Sequence, residues 1–116
     1  VTCTPAQAVI LHSPLKAGQF LAAVGAFTPR MVELSPALCK AAATVGRIVV
    51  DTLDACHEAG DLLQAGLEVS QFPTLADVVR ESHEPKLSIH RRGPVLFKSC
   101  GWAGWDLAAA RLAFCA

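Results

Sequence analysis

The sequence has little charge and no excess of either sign. Charged residues make up 17% of its 116 residues, with ten lysines and arginines against ten aspartates and glutamates. Nucleic acids and anionic membrane surfaces bind basic proteins, so we expect neither as a partner. No apolar run approaches the roughly eighteen residues of a membrane-spanning helix. Because 53% of the residues are hydrophobic, we expect another body to cover some apolar surface.

Patterns typical of metal sites and of disulfide frameworks are also missing. The five cysteines are far apart and odd in number: Cys3, Cys39, Cys56, Cys100 and Cys115. Without a C-x-x-C pair, they are best interpreted as buried, reduced cysteines of a cytoplasmic protein. The four histidines also lack the spacing of metal ligands: His12, His57, His83 and His90. We therefore expect no metal.

The apolar segments predict an α/β fold. Four short runs are predicted as strands: 1–4, 20–24, 47–51 and 94–99. Between them, Ser35-Pro36 predicts a helix start, and Thr74 with Asp77 predicts a capping box. Residues 52–60 are predicted as a helix that Gly60 ends, residues 62–65 as a short turn that Asp61 caps, and the polar residues 82–94 as a loop. Strands that alternate with helices, without hairpin signals, indicate a parallel sheet with helical crossovers.

The predicted sheet lacks the signature of a complete dinucleotide-binding fold. A doubly wound nucleotide-binding sheet usually has six strands, and a G-x-G-x-x-G turn follows the first of them. This sequence offers four strands, begins within one of them, and lacks the motif although it contains eight glycines. We therefore interpret the chain as the second half of a longer protein.

Four segments resemble the C-terminal part of the ornithine cyclodeaminase and mu-crystallin family. The more distinctive two are "AAVGAFTPRMVEL" at 22–34 and "VLFKSCGWAGWDLAAARL" at 95–112. In the family's order, "VTCT" at 1–4 and "VVDTLDACHEAGDLLQAG" at 49–66 accompany them.

This resemblance implies a division of the chain. Residues 1–100 would form the C-terminal part of a Rossmann-like domain that binds NAD or NADP. Residues 101–116 would form a helix that packs on an N-terminal dimerisation and substrate domain. The full-length protein would be a cytoplasmic homodimer that acts on a small amino or imino acid.

The resemblance also places five residues beside the nicotinamide: Thr4, Ala23, Val24, Gly25 and Ser99. Small residues at strand carboxyl ends would let a flat ring lie against the backbone, and Gly25 would allow close approach. Two alternatives stay open, since Gly25 fits an ordinary strand-to-loop glycine and the Ser99 hydroxyl could cap the last helix. Lys98 could be a ligand group or an exposed lysine at a strand end.

Two further residues are implied at the substrate. Glu68 matches a family position near the bound small molecule, where an acid could pair with an amine; the alternative is a solvated carboxylate. Phe27 stands where cyclodeaminases carry an aspartate that serves in proton transfer. A phenyl ring cannot accept a proton, so we do not expect ornithine cyclodeamination. Phe27 instead indicates an apolar pocket, or a ring that covers the nicotinamide.

Four acids close in sequence are interpreted as helix caps rather than metal ligands: Asp51, Asp54, Glu58 and Asp61. The catalytic residues are unknown and are expected mainly from the N-terminal part. The expected activity is hydride transfer between a nicotinamide dinucleotide and an imino or amino acid. The alternative is a non-catalytic protein that binds a small ligand together with NAD(P)H. The 116 residues alone are expected to be inactive.

Overall fold

The computed structural model describes residues 1–82 and 93–115. Its elements in chain order are β1 (Phe20–Ala23), α1 (Pro36–Val45), β2 (Arg47–Val50), α2 (Ala55–Glu58), α3 (Gly60–Gln64), a 3-10 turn (Val69–Gln71), α4 (Leu75–Ser82), β3 (Val95–Lys98) and α5 (Ala103–Cys115). Most of the predicted loop at 82–94 lies outside the described residues, as do His83 and His90.

The three strands form one parallel sheet in the order β1-β3-β2. The register pairs Lys98 at the end of β3 with Ala23 on one side and with Val50 on the other. All three strands therefore end at the same edge of the sheet. The prediction of a parallel α/β fold is confirmed.

The first predicted strand is shorter than expected. Thr2 forms a single parallel bridge with Ala23 on the outer side of β1, through its N–H to the Ala22 carbonyl at 2.8 Å and its own carbonyl to the Val24 N–H at 2.9 Å. The prediction of a strand over all of 1–4 was therefore wrong in extent. The segment still lies parallel to β1, so Thr4 reaches the edge where the strands end.

Helix α1 begins as predicted. The Ser35 hydroxyl accepts a hydrogen bond from the Leu38 N–H at 3.2 Å, and Pro36 occupies the first turn, where its missing N–H has no partner to lose. Leu38 is fully buried against the sheet, in a core that also contains Leu34 and Leu96. The sheet face and the apolar face of α1 thus form the main core.

The helix predicted over 52–60 and the turn predicted over 62–65 are two short helices, α2 and α3, and Gly60 begins the second instead of ending the first. A Cβ atom at Gly60 would lie 2.2 Å from the Met31 carbonyl oxygen and 2.5 Å from that of Thr28. The glycine is therefore required because the loop after β1 packs directly on it. The capping box of α4 is confirmed, since Thr74 donates its hydroxyl to Asp77 at 2.7 Å and accepts the Asp77 N–H.

Helix α5 contains no buried residue, and Leu112 and Phe114 are 75% and 93% exposed. Near the start of α5, a cavity of about 900 Å³ is lined by Trp102 and Trp105, by Leu53 in the loop after β2, and by residues of α4. A large apolar surface is therefore exposed at this end of the chain. Within the described ranges, no helix has the length and hydropathy needed to cross a membrane.

Candidate functional site

The carboxyl ends of the strands bring together most of the residues that the sequence singled out. Residues 24–27 follow β1, residues 99–101 follow β3, and Asp51 follows β2, while Thr4 lies beside the end of β1. We call these residues the strand-end edge. In parallel sheets of this kind, ligands bind outside the carboxyl ends of the strands.

Glu33, in the loop between β1 and α1, binds both Thr4 and the residues that follow β1. One carboxylate oxygen, Oε1, accepts hydrogen bonds from the Thr4 N–H at 2.7 Å and the Thr4 hydroxyl at 3.0 Å. The other, Oε2, accepts from the Thr2 hydroxyl and the Gly25 N–H, both at 3.0 Å, and from the Ala26 N–H at 3.3 Å. The side chain is fully buried, so five protein donors replace its water.

These donors keep Glu33 charged. Burial acts to raise the pKa of its carboxyl, but the hydrogen bonds from Thr4, Gly25 and Thr2 outweigh it and lower the pKa below its ordinary value. Glu33 is therefore ionised near neutral pH, and five N–H and O–H groups donate hydrogen bonds to its carboxylate. It is suited to fixing the backbone and not to transferring a proton.

Gly25 is required by contact between chain segments. A Cβ atom there would lie 2.2 Å from the Thr4 nitrogen, 2.3 Å from the Thr4 carbonyl oxygen and 2.5 Å from Glu33 Oε1. The missing side chain thus leaves room for the backbone of Thr4.

Asp51 binds the loop that follows β3. Its Oδ2 accepts hydrogen bonds from the Ser99 hydroxyl at 2.9 Å and from the N–H groups of Cys100 and Gly101, each at 2.7 Å. The interpretation of Asp51 as a cap for the helix after β2 was therefore wrong. Since Ser99 has one hydroxyl proton and donates it to Asp51, only its oxygen lone pairs are free to bind a ligand.

Lys98 is fully buried, so both interpretations of it, as a ligand group and as an exposed lysine, were wrong. Its ammonium donates to the carbonyl oxygens of Ala23 at 3.3 Å and Ser99 at 3.2 Å, and to that of Ala26. It also lies 3.4 Å from Asp61 Oδ2. Lys98 therefore holds the backbone in place where β1 and β3 end.

Asp61, in α3, is likewise buried and does not cap the turn as predicted. Its Oδ1 accepts the N–H groups of Glu33 at 2.6 Å and Leu34 at 2.9 Å. Its Oδ2 finds no hydrogen-bond partner among the described residues and faces the Lys98 ammonium. Of the other two acids, Asp54 lies at the start of α2 without a side-chain cap, and Glu58 lies within that helix.

The two predicted substrate residues lie in different surroundings. Phe27 is on the strand-end edge and is 52% exposed. Glu68 is exposed at the start of the 3-10 turn, where its carboxylate accepts the Ser70 hydroxyl at 2.6 Å. Among the described residues, no hydrogen bond joins Glu68 to the strand-end edge. The structure thus brings Thr4, Ala23 and Gly25 together with Ser99 and Phe27, while the described hydrogen bond of Glu68 is a local one to Ser70.

The sequence interpretation missed Glu33 and gave Lys98 no structural role. Both stand in apolar surroundings, Glu33 between Val32 and Leu34 and Lys98 at the end of the mostly apolar strand β3. A charged residue inside such a segment is buried only when it is paired or hydrogen-bonded, so this placement was the available signal.

The cysteines are free but not uniformly buried. Cys3 and Cys115 are exposed, so the expectation that all five are buried was wrong. Burial raises the pKa of Cys39 and of Cys100 to about 12, which keeps both as thiols. In the part of the chain that the structure describes, no group of three or more potential metal ligands is found.

Comparisons with known proteins agree with the resemblance. The family model described as "Ornithine cyclodeaminase/mu-crystallin family" matches residues 1–114. Over 116 residues the chain is 39% identical to Delta(1)-pyrroline-2-carboxylate reductase 1 of Burkholderia multivorans, covering 97% of this chain and 34% of that protein. It is 38% identical over 114 residues to the Delta(1)-pyrroline-2-carboxylate/Delta(1)-piperideine-2-carboxylate reductase of Azospirillum brasilense, covering 97% and 33%.

The fold is also found in a solved structure. The crystal structure of a probable ornithine cyclodeaminase from Bordetella pertussis Tohama I matches with a TM-score of 0.68 at 23% identity, covering 97% of this chain and 36% of that one. The chain thus spans about a third of the length of the curated relatives that it matches. Because the family model covers nearly the whole chain, the protein belongs to the ornithine cyclodeaminase/mu-crystallin family.

Proposed function

We propose that this chain forms the nicotinamide side of the cofactor site in an NAD(P)H-dependent reductase of cyclic imino acids. The similarity to two proteins named as pyrroline-2-carboxylate reductases supports this, since it extends over 97% of the chain. The substrate class is an α-imino acid with its C=N bond in a five- or six-membered ring.

The strand-end edge has groups that fit a nicotinamide. The Val24 carbonyl accepts no hydrogen bond from a described residue, and Val24 is 37% exposed. Together with a lone pair of Ser99, it could accept the two N–H bonds of a carboxamide. Ala23 and Gly25 would support the ring with backbone fixed by Lys98 and Glu33. When bound, the nicotinamide would supply the hydride.

The observation that carries the proposal is the exposed phenyl ring of Phe27 on the strand-end edge. It stands where the family resemblance places the aspartate of the cyclodeaminases. An apolar ring at this point fits the methylene face of a cyclic imine and offers no base for the amine of ornithine. We therefore propose imine reduction and not cyclodeamination.

The proton that completes the reaction would come from outside this set of residues. Reduction of a C=N bond needs a hydride at carbon and a proton at nitrogen. The acids around the strand-end edge, Glu33, Asp51 and Asp61, are all buried and hold backbone or hydroxyl groups. The donor is therefore a group elsewhere in the full-length protein, or water.

We also propose that α5 packs on the rest of the full-length protein, which would be a homodimer. The support is that none of its residues is buried within this chain and that apolar side chains cover its surface, including Leu107 and Phe114. Such a surface requires a partner in a stable protein.

The test is an assay of the full-length protein with NADH and NADPH. Δ1-pyrroline-2-carboxylate and Δ1-piperideine-2-carboxylate should each cause dinucleotide oxidation, and ornithine should not be converted to proline. Conversion of ornithine without imine reduction would contradict the proposal.

A non-catalytic role, in which NAD(P)H completes a pocket for a small ligand, is the second candidate. Its support is that the acids beside the strand-end edge, Glu33, Asp51 and Asp61, are buried and already hold backbone or hydroxyl groups. Tight binding of an imino acid in the presence of NAD(P)H, without turnover, would favour this candidate.

A further inference from the structure

We propose that Glu33 is the positioning residue of the nicotinamide side of the site, and that its carboxylate sets the spacing between Thr4 and Gly25. This inference rests on the proposed function. Glu33 is fully buried and makes no contact with solvent. It therefore acts through the backbone of its neighbours and does not touch the cofactor.

The geometry gives the carboxylate two separate tasks. Oε1 accepts the Thr4 N–H at 2.7 Å, on the segment outside β1. Oε2 accepts the Gly25 N–H at 3.0 Å, on the loop that continues β1. The two segments also touch directly, because a Cβ atom at Gly25 would lie 2.2 Å from the Thr4 nitrogen. The distance between the two carboxylate oxygens thus sets the positions of Thr4 and Gly25 relative to each other.

A chain of buried charged groups extends this control to the other strands. The Glu33 N–H donates to Asp61 Oδ1 at 2.6 Å, and Asp61 Oδ2 lies 3.4 Å from the Lys98 ammonium. Lys98 in turn donates to the carbonyls of Ala23 and Ser99. Four of the five predicted cofactor residues are therefore held by Glu33 or Lys98, and Asp61 joins these two.

The change Glu33→Gln tests the role of the charge with little change of size. A carboxamide has one acceptor oxygen and an NH₂ group that only donates. Whichever way it turns, its NH₂ group faces the N–H of Thr4 or that of Gly25, and those two donors repel each other. The strand-end edge should shift there, and a displacement of 1 Å in a positioned site can change a rate by about 100-fold.

The test compares two ligands of the full-length protein by calorimetric titration. One is the dinucleotide that wild type prefers, and the other is the matching ADP-ribose or its 2′-phosphate, which lacks the nicotinamide. Glu33→Gln should bind the dinucleotide about tenfold or more weakly, since it loses hydrogen bonds of a charged acceptor on that side. Its affinity for the ADP-ribose ligand should stay within about twofold, because that end of the site lies elsewhere.

A matched control is Glu81→Gln, which makes the same chemical change in the half-exposed pair with Arg47 at the opposite end of β2. It should leave both affinities unchanged. Equal weakening of both ligands by Glu33→Gln would show a general structural role and overturn the inference. No change in either affinity would overturn it as well.

A milder variant decides the matter if Glu33→Gln does not fold. Thr2→Val keeps the side-chain shape and removes only the hydroxyl that donates to Glu33 Oε2 at 3.0 Å. It should weaken dinucleotide binding about threefold and leave ADP-ribose binding unchanged, as expected for one hydrogen bond acting at a distance. Equal effects on both ligands, or none, would overturn the inference. Failure of wild type to bind either dinucleotide would instead contradict the proposed function itself.

Discussion

Lys98 and Asp61 form an ion pair whose side chains are both fully buried, with 3.4 Å between Nζ and Oδ2. The three carbonyl groups around Lys98 and the two N–H groups that bind Asp61 make the pair tolerable in the core. The charges at the strand-end edge are therefore structural, and the exposed large side chains there, Val24 and Phe27, are apolar.

Removal of one partner of this pair should strongly destabilise the protein. Lys98→Met leaves Asp61 buried without a counter-charge, and the free energy of unfolding should fall by about 3–5 kcal/mol. The measurement is urea denaturation of the full-length protein. The control, Arg47→Met, removes a partly exposed ion pair and should lower it by about 1 kcal/mol or less. Equal losses in the two variants would contradict the account of the buried pair.

The hydroxyl of Ser99 should contribute to stability as well as to cofactor binding. Ser99→Ala removes the hydrogen bond to buried Asp51, and we expect a loss of about 1–3 kcal/mol in the free energy of unfolding. Ser70→Ala, which removes an exposed hydrogen bond to Glu68, should change it by less than about 0.5 kcal/mol. Thermal denaturation of both variants checks this. A Ser99→Ala protein as stable as wild type would mean that the hydrogen bond to Asp51 does not contribute to the free energy of unfolding.

Phe27 should affect the substrate and not the fold. Because the ring is 52% exposed, Phe27→Asp should leave stability within about 0.5 kcal/mol. It should raise the KM for the cyclic imine about tenfold, through loss of an apolar contact and gain of a charge near the substrate carboxylate. Phe27→Leu is the control and should stay near wild type. An unchanged KM for Phe27→Asp would remove Phe27 from the substrate site.

The stability contributed by Glu33 should depend on pH. Its pKa in the folded protein is lowered from an ordinary value of 4.5, so the unfolded chain takes up the proton first as the pH falls. The contribution is thus fully present above pH 4.5 and is lost as the pH falls towards the folded pKa. The difference in unfolding free energy between wild type and Glu33→Gln should stay nearly constant from neutral pH down to about 4.5 and shrink below that value. A difference that grew on acidification would contradict the charged state assigned to Glu33.

The fold could be predicted from local patterns because its main signals are local. Apolar runs predicted β1, β2 and β3, and Ser35-Pro36 and the Thr74–Asp77 capping box predicted the starts of α1 and α4. A break near Gly60 was predicted in this way, but the start of α3 at Gly60 itself was not. It depends on the loop after β1, which packs on Gly60 from 29 to 32 residues earlier in the sequence.

The candidate site was predicted in outline for a similar reason. Strand order brings Thr4, Gly25 and Ser99 to one edge, and the positions of the strand ends are visible in the sequence. The partners of Asp51 and Lys98 are not, because each contact joins residues far apart in the chain, such as Ser99 with Asp51. The local pattern therefore indicated that Asp51 caps the nearest helix. In the fold it instead binds the loop that follows the neighbouring strand β3.

The most direct test of the central claim follows the hydride itself. The full-length protein is incubated with Δ1-pyrroline-2-carboxylate and NADH or NADPH deuterated at C4 of the nicotinamide, on either face in separate reactions. With one of the two faces, the proline formed should carry one deuterium at Cα, as detected by mass spectrometry. Proline without label from either face, or no proline at all while the dinucleotide binds, would contradict the assignment as an imino-acid reductase.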